Sequence, residues 1–182
     1  MTPGLSLYHV AVGRGTQNYT CDTTNSTAVP AAVGAVASLF NVTCMSADYP
    51  LLLSKVPDIA LELPVPSTKI KASPAYQDLS GHHYFTDSKT PYFNLDTSVN
   101  AFGQGAFSKT DQTAAPADAM KGQYGVGHGA VAWLKLQAKS ADDCVFTEVY
   151  RVNTAGGSPP DTCQGMPAAF EVQYSAEYWF YS

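Results

Sequence analysis

The stretch just before the C-terminal serine alternates without a break. Phe170, Val172, Tyr174, Ala176, Tyr178 and Phe180 occupy one set of positions, and Glu171, Gln173, Ser175, Glu177, Trp179 and Tyr181 the other. A period of two, rich in aromatics and free of glycine and proline, predicts a terminal β-strand. Its register is fixed by the pattern, because a one-residue slip would bury Glu171 and Glu177 and expose the aromatic set. The even-numbered face is therefore expected in the core, with Glu171, Gln173 and Glu177 facing away. Ala130–Gln137 and Val145–Val152 read as two further strands, joined as a hairpin by turn residues at Lys139–Asp143. Leu5–Val12 reads as a fourth, ending at Gly13-Arg14-Gly15 ahead of Thr16–Cys21.

Weaker signals fill the middle of the chain. Short strands are predicted at Gly81–Phe85 and Pro91–Leu95, around a turn at Thr86–Thr90. Ala31–Phe40 is alanine-rich, but Gly34 and its valines favour a strand over a helix. Tyr49–Lys55 has room for one helical turn, capped by Asp48 and stopped by Pro57. Ala101–Val126 shows no clear period and reads as a long loop, a kind of segment that is often functional. No internal repeat or linker divides residues 1–182. The expected fold is an all-β single domain, a mainly antiparallel sandwich or partly closed barrel with little helix.

Composition narrows the partners. With 45% hydrophobic and 14% charged residues the chain is not of the disordered class. A net charge of −5 and only two arginines, Arg14 and Arg151, argue against a nucleic-acid partner, which needs a clustered basic footprint. The longest apolar run, Ala28–Phe40, is interrupted by Pro30, Gly34 and Ser38 and is too short to span a bilayer.

Cys21, Cys44, Cys144 and Cys163 fall into two sequence-local pairs without C-x-x-C spacing, which disfavours a structural zinc site. Two local disulfides, Cys21–Cys44 and Cys144–Cys163, suit that spacing, although four cysteines allow three connectivities. Three N-x-[ST] sequons, at Asn18, Asn25 and Asn41, surround the first pair and read as surface glycosylation acceptors. The start, Met1-Thr-Pro-Gly, lacks the basic and apolar regions of a leader, so a mature chain whose leader has been removed is expected. Together these point to an extracellular, secreted protein.

No catalytic pattern emerges. Gly122–Gly129 has the wrong glycine spacing for a dinucleotide turn and leads into a strand, which excludes nicotinamide chemistry. His82 and His83 are adjacent, point to opposite faces of a strand and cannot readily chelate one ion; His9 and His128 belong to no metal motif. Glu171 and Glu177 share a strand face but lie roughly 20 Å apart, too far for glycoside hydrolysis. No cofactor, metal site or catalytic residue is assigned. Two features carry a binding signal. Arg151, at the start of Arg151-Val-Asn153-Thr, suits a bidentate carboxylate or sulfate ligand, or else a salt bridge fixing the turn. Trp179 and Tyr181, beside Glu177, suit stacking against a sugar, or else lie beneath a second packed layer. The candidate ligand-binding residues are His83, Tyr84, Trp133, Arg151, Asn153 and Trp179.

In combination, Leu7–Cys21, Gly81–Phe85, Ala130–Leu134, Tyr150–Gly157 and Tyr174–Tyr181 resemble a secreted fungal family of unknown function with bacterial relatives, whose members often carry the label "malate dehydrogenase-like". The resemblance implies an exported, cysteine-bridged protein without an assigned reaction, and it transfers no catalytic residue. The leading functional expectation is a non-catalytic binder of a glycan or another wall or host-surface component. The alternative is a carbohydrate-active or metal-dependent extracellular enzyme whose site forms only in three dimensions.

Overall fold

The computed structural model describes residues 2–67, 69, 73–140 and 144–182. Its strands are β1 (Leu7–Thr20), β2 (Ala31–Asn41), β3 (Leu79–Phe85), β4 (Pro91–Asp96), β5 (Ala101–Thr113), β6 (Trp133–Ala138), β7 (Glu148–Gly156) and β8 (Ala169–Tyr181). Each pairs antiparallel with the next, and β1 returns to pair with β8. The all-β expectation holds, and closure makes the sheet a barrel. Four short helices, α1 (Thr43–Asp48), α2 (Pro50–Leu53), α3 (Val56–Glu62) and α4 (Pro74–Gln77), lie between β2 and β3.

Three local expectations are corrected. Strand β1 does not stop at Gly13-Arg14-Gly15 but runs through it. A Cβ on Gly13 would lie 2.6 Å from the Tyr178 ring, and one on Gly15 would lie 1.9 Å from the Val36 carbonyl oxygen. These glycines mark close approach of β1 to its neighbours β8 and β2, not a strand end. The long loop expected from Ala101 begins instead with the 13-residue strand β5. Its period is hidden because the inward position Gly105 must be small: a Cβ there would meet Cys144 Sγ at 2.6 Å. Finally, Asp48 ends α1 and caps nothing, while Pro57 sits in the first turn of α3. Proline at that position loses no helical hydrogen bond, so it opens a helix instead of stopping one. The expected β6–β7 hairpin forms, with Leu134 opposite Arg151, although the turn expected for it lies partly on residues 141–143, outside the described residues.

One end of the barrel is filled by aromatic side chains. Phe93 meets Phe107, Tyr178 and Phe180 edge-on, with centroids 5.4–5.5 Å apart. A second apolar layer lies outside the sheet, where Val10, Val12 and Leu53 pack with Met45, Val56 and half-buried Trp179. The helices thus cover the outer face of β1 and part of β8, which corrects the picture of Glu177 facing solvent: it is 2% exposed. Glu171 does face away. Arg14 pins the helical layer in place. Its guanidinium donates to the carbonyls of Ala60 (2.9 Å), Leu61 (3.3 Å) and Leu63 (3.1 Å) at the C-terminal end of α3. It also donates to Gly15, Gln173 and Tyr174 on the barrel. A cation is favourable at a helix C-terminus, where carbonyls lack helical partners.

The disulfide pairing is also corrected. The bridge joins Cys21 to Cys163, with Cα atoms 5.6 Å apart, and Cys44 and Cys144 are free. Adjacency of β1 and β8 explains it: Cys21 follows the end of one strand and Cys163 precedes the start of the other. Sequence-local pairing was the wrong guide because spatial neighbours here come from opposite ends of the chain. Non-reducing peptide mapping should recover the Cys21–Cys163 link with free thiols at Cys44 and Cys144. With a sequence separation of 142 between the partners, Cys21→Ser should cost up to about 5 kcal/mol in the chain-entropy model, read by urea denaturation.

Candidate functional site

Strands β6, β7 and β8 present a three-by-three array of outward side chains. The register sets Lys135 beside Tyr150 and Tyr150 beside Trp179; Gln137 beside Glu148 and Glu148 beside Tyr181; and Val152 beside Glu177. Trp133, two residues before Lys135, completes the outward face of β6. The aromatics are half-buried, so each ring keeps an accessible part.

Buried carboxylates hold this array in place. Glu177 accepts hydrogen bonds from Asn153 Nδ2 at 2.7 Å and Trp179 Nε1 at 2.8 Å, which fixes the indole plane. Burial raises the Glu177 pKa, and these two bonds oppose the shift. Asn153 turns to the outer face and meets Glu177 because it sits at a β-bulge with φ of +46°, a left-handed conformation that asparagine tolerates well. Glu148 accepts from Thr2, from Tyr150 Oη at 2.8 Å and from Lys135 Nζ at 2.9 Å. Burial pushes its carboxyl up, but the hydrogen bonds from Thr2, Lys135 and Tyr150 outweigh that and hold it at about 2.

Three depressions lie side by side on this face, the first two adjoining at Trp133 and the last two at Tyr150 and Val152, and together they make up an outer groove. A cleft of about 210 Å³ is lined by Lys55, Asp58, Asp118, Trp133 and Asn153. The second, also about 210 Å³, continues from Trp133 to Lys135, Tyr150 and Val152. The third, about 390 Å³, lies among Tyr150, Val152, Trp179 and Tyr181. The groove is therefore polar at one end and aromatic at the other. The indole Nε1 of Trp133, whose ring lines both of the first two depressions, is buried without a hydrogen-bond partner.

The inner face of the same strands bears a separate cavity of about 410 Å³ at the end of the barrel opposite the aromatic plug. It collects His83 and Arg151. His83 is pulled down to about 4 by burial and is neutral at ordinary pH; its Nδ1 lies 3.0 Å from the Tyr92 carbonyl oxygen, to which it donates.

The sequence-derived candidates thus separate into two places. Trp133, Asn153 and Trp179 line the outer groove; His83 and Arg151 line the lumen. Tyr84 joins neither, but stacks on Tyr92 outside β3 and β4 with centroids 5.3 Å apart. His9 is buried between Ser80 Oγ (2.8 Å) and Thr43 Oγ1 (3.2 Å), a structural setting. Among the described residues no group of three His, Cys, Asp or Glu side chains is placed to hold a metal ion. Sequence reading missed Tyr150, Lys135 and Glu148. All three lie on the polar phase of their strands, and only the register shows that they converge.

A family model matches residues 2–182, which is nearly the entire chain. The chain belongs to the family described as a protein of unknown function, DUF3455. No curated protein and no solved structure matches it. Membership in DUF3455 agrees with the unknown-function family expected above, and it adds no reaction.

Glu148 gives this face a pH signature. Its depressed pKa means that the stability it contributes is fully present above the ordinary carboxyl value of 4.5 and is lost as pH falls through about 2. Urea denaturation at neutral pH and near pH 3 should show Glu148→Gln less stable than wild type at neutrality, with a smaller further loss on acidification. Parallel pH profiles for the two proteins would contradict this account.

Proposed function

We propose that this DUF3455 protein is a non-catalytic extracellular binding protein whose outer groove takes a carbohydrate chain. The observation that carries this reading is the array on β6–β8, in which four aromatic rings and fixed polar groups line adjoining depressions on one face. Across three strands the platform measures roughly 10 Å by 14 Å, the scale of a short oligosaccharide. Aromatic faces are electron-rich and attract the polarised C–H groups of a sugar ring, while neighbouring amides and carboxylates meet its hydroxyls. A rigid, pre-ordered platform limits the entropy lost on binding, and the Glu177 contacts to Trp179 and Asn153 supply that order.

The extracellular setting is supported by the Cys21–Cys163 bridge, since such bonds persist in oxidising compartments. It is supported as well by the sequons, of which Asn25 and Asn41 are exposed and Asn18 is half-buried in β1. Glycosylation at Asn25 and Asn41 belongs to the same proposal.

A glycan array together with pull-down on wall polysaccharides tests the reading. The wild-type protein should bind at least one glycan class, and Tyr181→Ala should weaken that binding about tenfold with little change in melting temperature. Trp179→Ala should abolish binding and also cost about 2–3 kcal/mol, because its ring packs partly against the α-helical layer. Absence of any binding by the wild type at millimolar glycan would sink the proposal.

A further inference from the structure

The two arginines of this chain are both buried, and their surroundings differ in a telling way. Arg14 is saturated by protein acceptors: five backbone carbonyls and the Gln173 side chain. Arg151 is 8% exposed, and its Nε and Nη2 both donate to a single acceptor, the Ala132 carbonyl, at 3.3 and 2.9 Å. The Tyr178 hydroxyl lies beside the guanidinium, and Tyr19, Tyr174 and His83 stand near it, all of them uncharged at neutral pH. Among the described residues no carboxylate forms an ion pair with Arg151, so the salt bridge expected from sequence is not found there. A buried guanidinium is ordinarily paired, because leaving it without a counter-charge is costly.

The cavity into which Arg151 opens repeats that imbalance. Its lining includes three of the chain's ten cationic residues, Arg151, Lys89 and Lys109, and none of its fifteen acids, in a protein of net charge −5. Hydrogen-bond donors are also in surplus. The Gln17 amide nitrogen is buried and lies toward the Tyr174 hydroxyl without reaching hydrogen-bond geometry. Tyr174 and Tyr178 share one hydrogen bond, at 2.9 Å between hydroxyls, so the accepting partner still holds a proton to donate. Tyr19, His83, Ser88 and Gln112 add polar groups to the wall, and its apolar part is formed by Phe85, Pro91, Val131, Leu134 and Leu136. An eight-stranded barrel either fills with side chains or holds one small ligand, and this end is not filled.

We infer that the lumen is a second binding site, distinct from the outer groove, which takes an amphipathic carboxylic acid. The carboxylate accepts from Arg151 and the surplus donors around it, the apolar body lies against the Phe85 and Leu134 side, and the lysines at the rim favour entry of an anion. A cavity of about 410 Å³ falls in the range of small-molecule pockets and suits an acid of medium chain length or with a small ring system.

Isothermal titration calorimetry of the intact protein with dodecanoate, dodecanol and dodecylamine tests this. Dodecanoate should bind at least about tenfold more tightly than dodecanol, the difference expected for a charge-assisted hydrogen bond, and dodecylamine should bind weakest. Arg151→Met should bring dodecanoate down to the affinity of dodecanol, whereas Tyr181→Ala should leave dodecanoate binding unchanged. If Arg151→Met does not fold, the wild-type comparison decides alone. Equal affinity of wild type for acid and alcohol, or no binding of dodecanoate at millimolar concentration, overturns the inference.

Discussion

From His9 to Thr20, every residue of β1 has a partner on β8, and this seam converts a meander of hairpins into a closed barrel. Closure at eight strands leaves a lumen only about as wide as the side chains that can fill it. Large rings therefore cannot be distributed evenly inside. Phe93, Phe107, Phe146 and Phe180 crowd one end, glycines at 13 and 105 make room for Tyr178 and Cys144, and the other end stays open around Arg151. The aromatic plug and the cavity are two outcomes of one geometric limit. The same closure places the inward phase of β6–β8 in the lumen and their outward phase on the groove, so both candidate sites share these strands.

The outer surface of the barrel is divided as well. Around β1 the helices cover the sheet and create a second apolar layer on Val10 and Val12. On β6–β8 the cover is incomplete, and aromatic rings that would otherwise be core remain accessible. Trp179 sits at the boundary, with its indole N–H fixed by Glu177 and its ring touching the apolar layer. Glu177 belongs to the polar phase of its strand and yet is buried, because helices reach over that part of β8. Its hydrogen bonds are what make the burial tolerable.

Strand identity was legible wherever apolar and polar residues alternate against a core that needs bulk, as in β8 and the β6–β7 hairpin. Legibility failed where the partner supplies the bulk. The inward face of β5 carries Gly105 because Cys144 fills the space, and β1 carries Gly13 because Tyr178 does. Neither constraint can be seen without the other strand. The disulfide followed the same logic, since proximity is set by closure of the barrel and not by spacing along the chain. Of the candidate site, the residue types were visible but their grouping was not. Trp133, Asn153 and Trp179 meet on one side of the sheet, His83 and Arg151 on the other, and Tyr84 belongs to neither. That partition depends on strand phase and on the bulge at Asn153, which no local pattern announces.

The seam also bears on how the chain reaches this state. Hairpins from β1 to β8 join neighbours in sequence and can form early, but β1 and β8 are separated by nearly the full length of the chain. Pairings this distant carry a large loop-closure cost and slow folding. Until β8 arrives, β1 presents a long free edge, with unpaired N–H and C=O groups open to another chain. The Cys21–Cys163 bond lies at one end of that seam, so its oxidation captures the ring once it has closed. Newly made chains held under reducing conditions would spend longer as open sheets, and their characteristic failure would be edge-to-edge association between molecules.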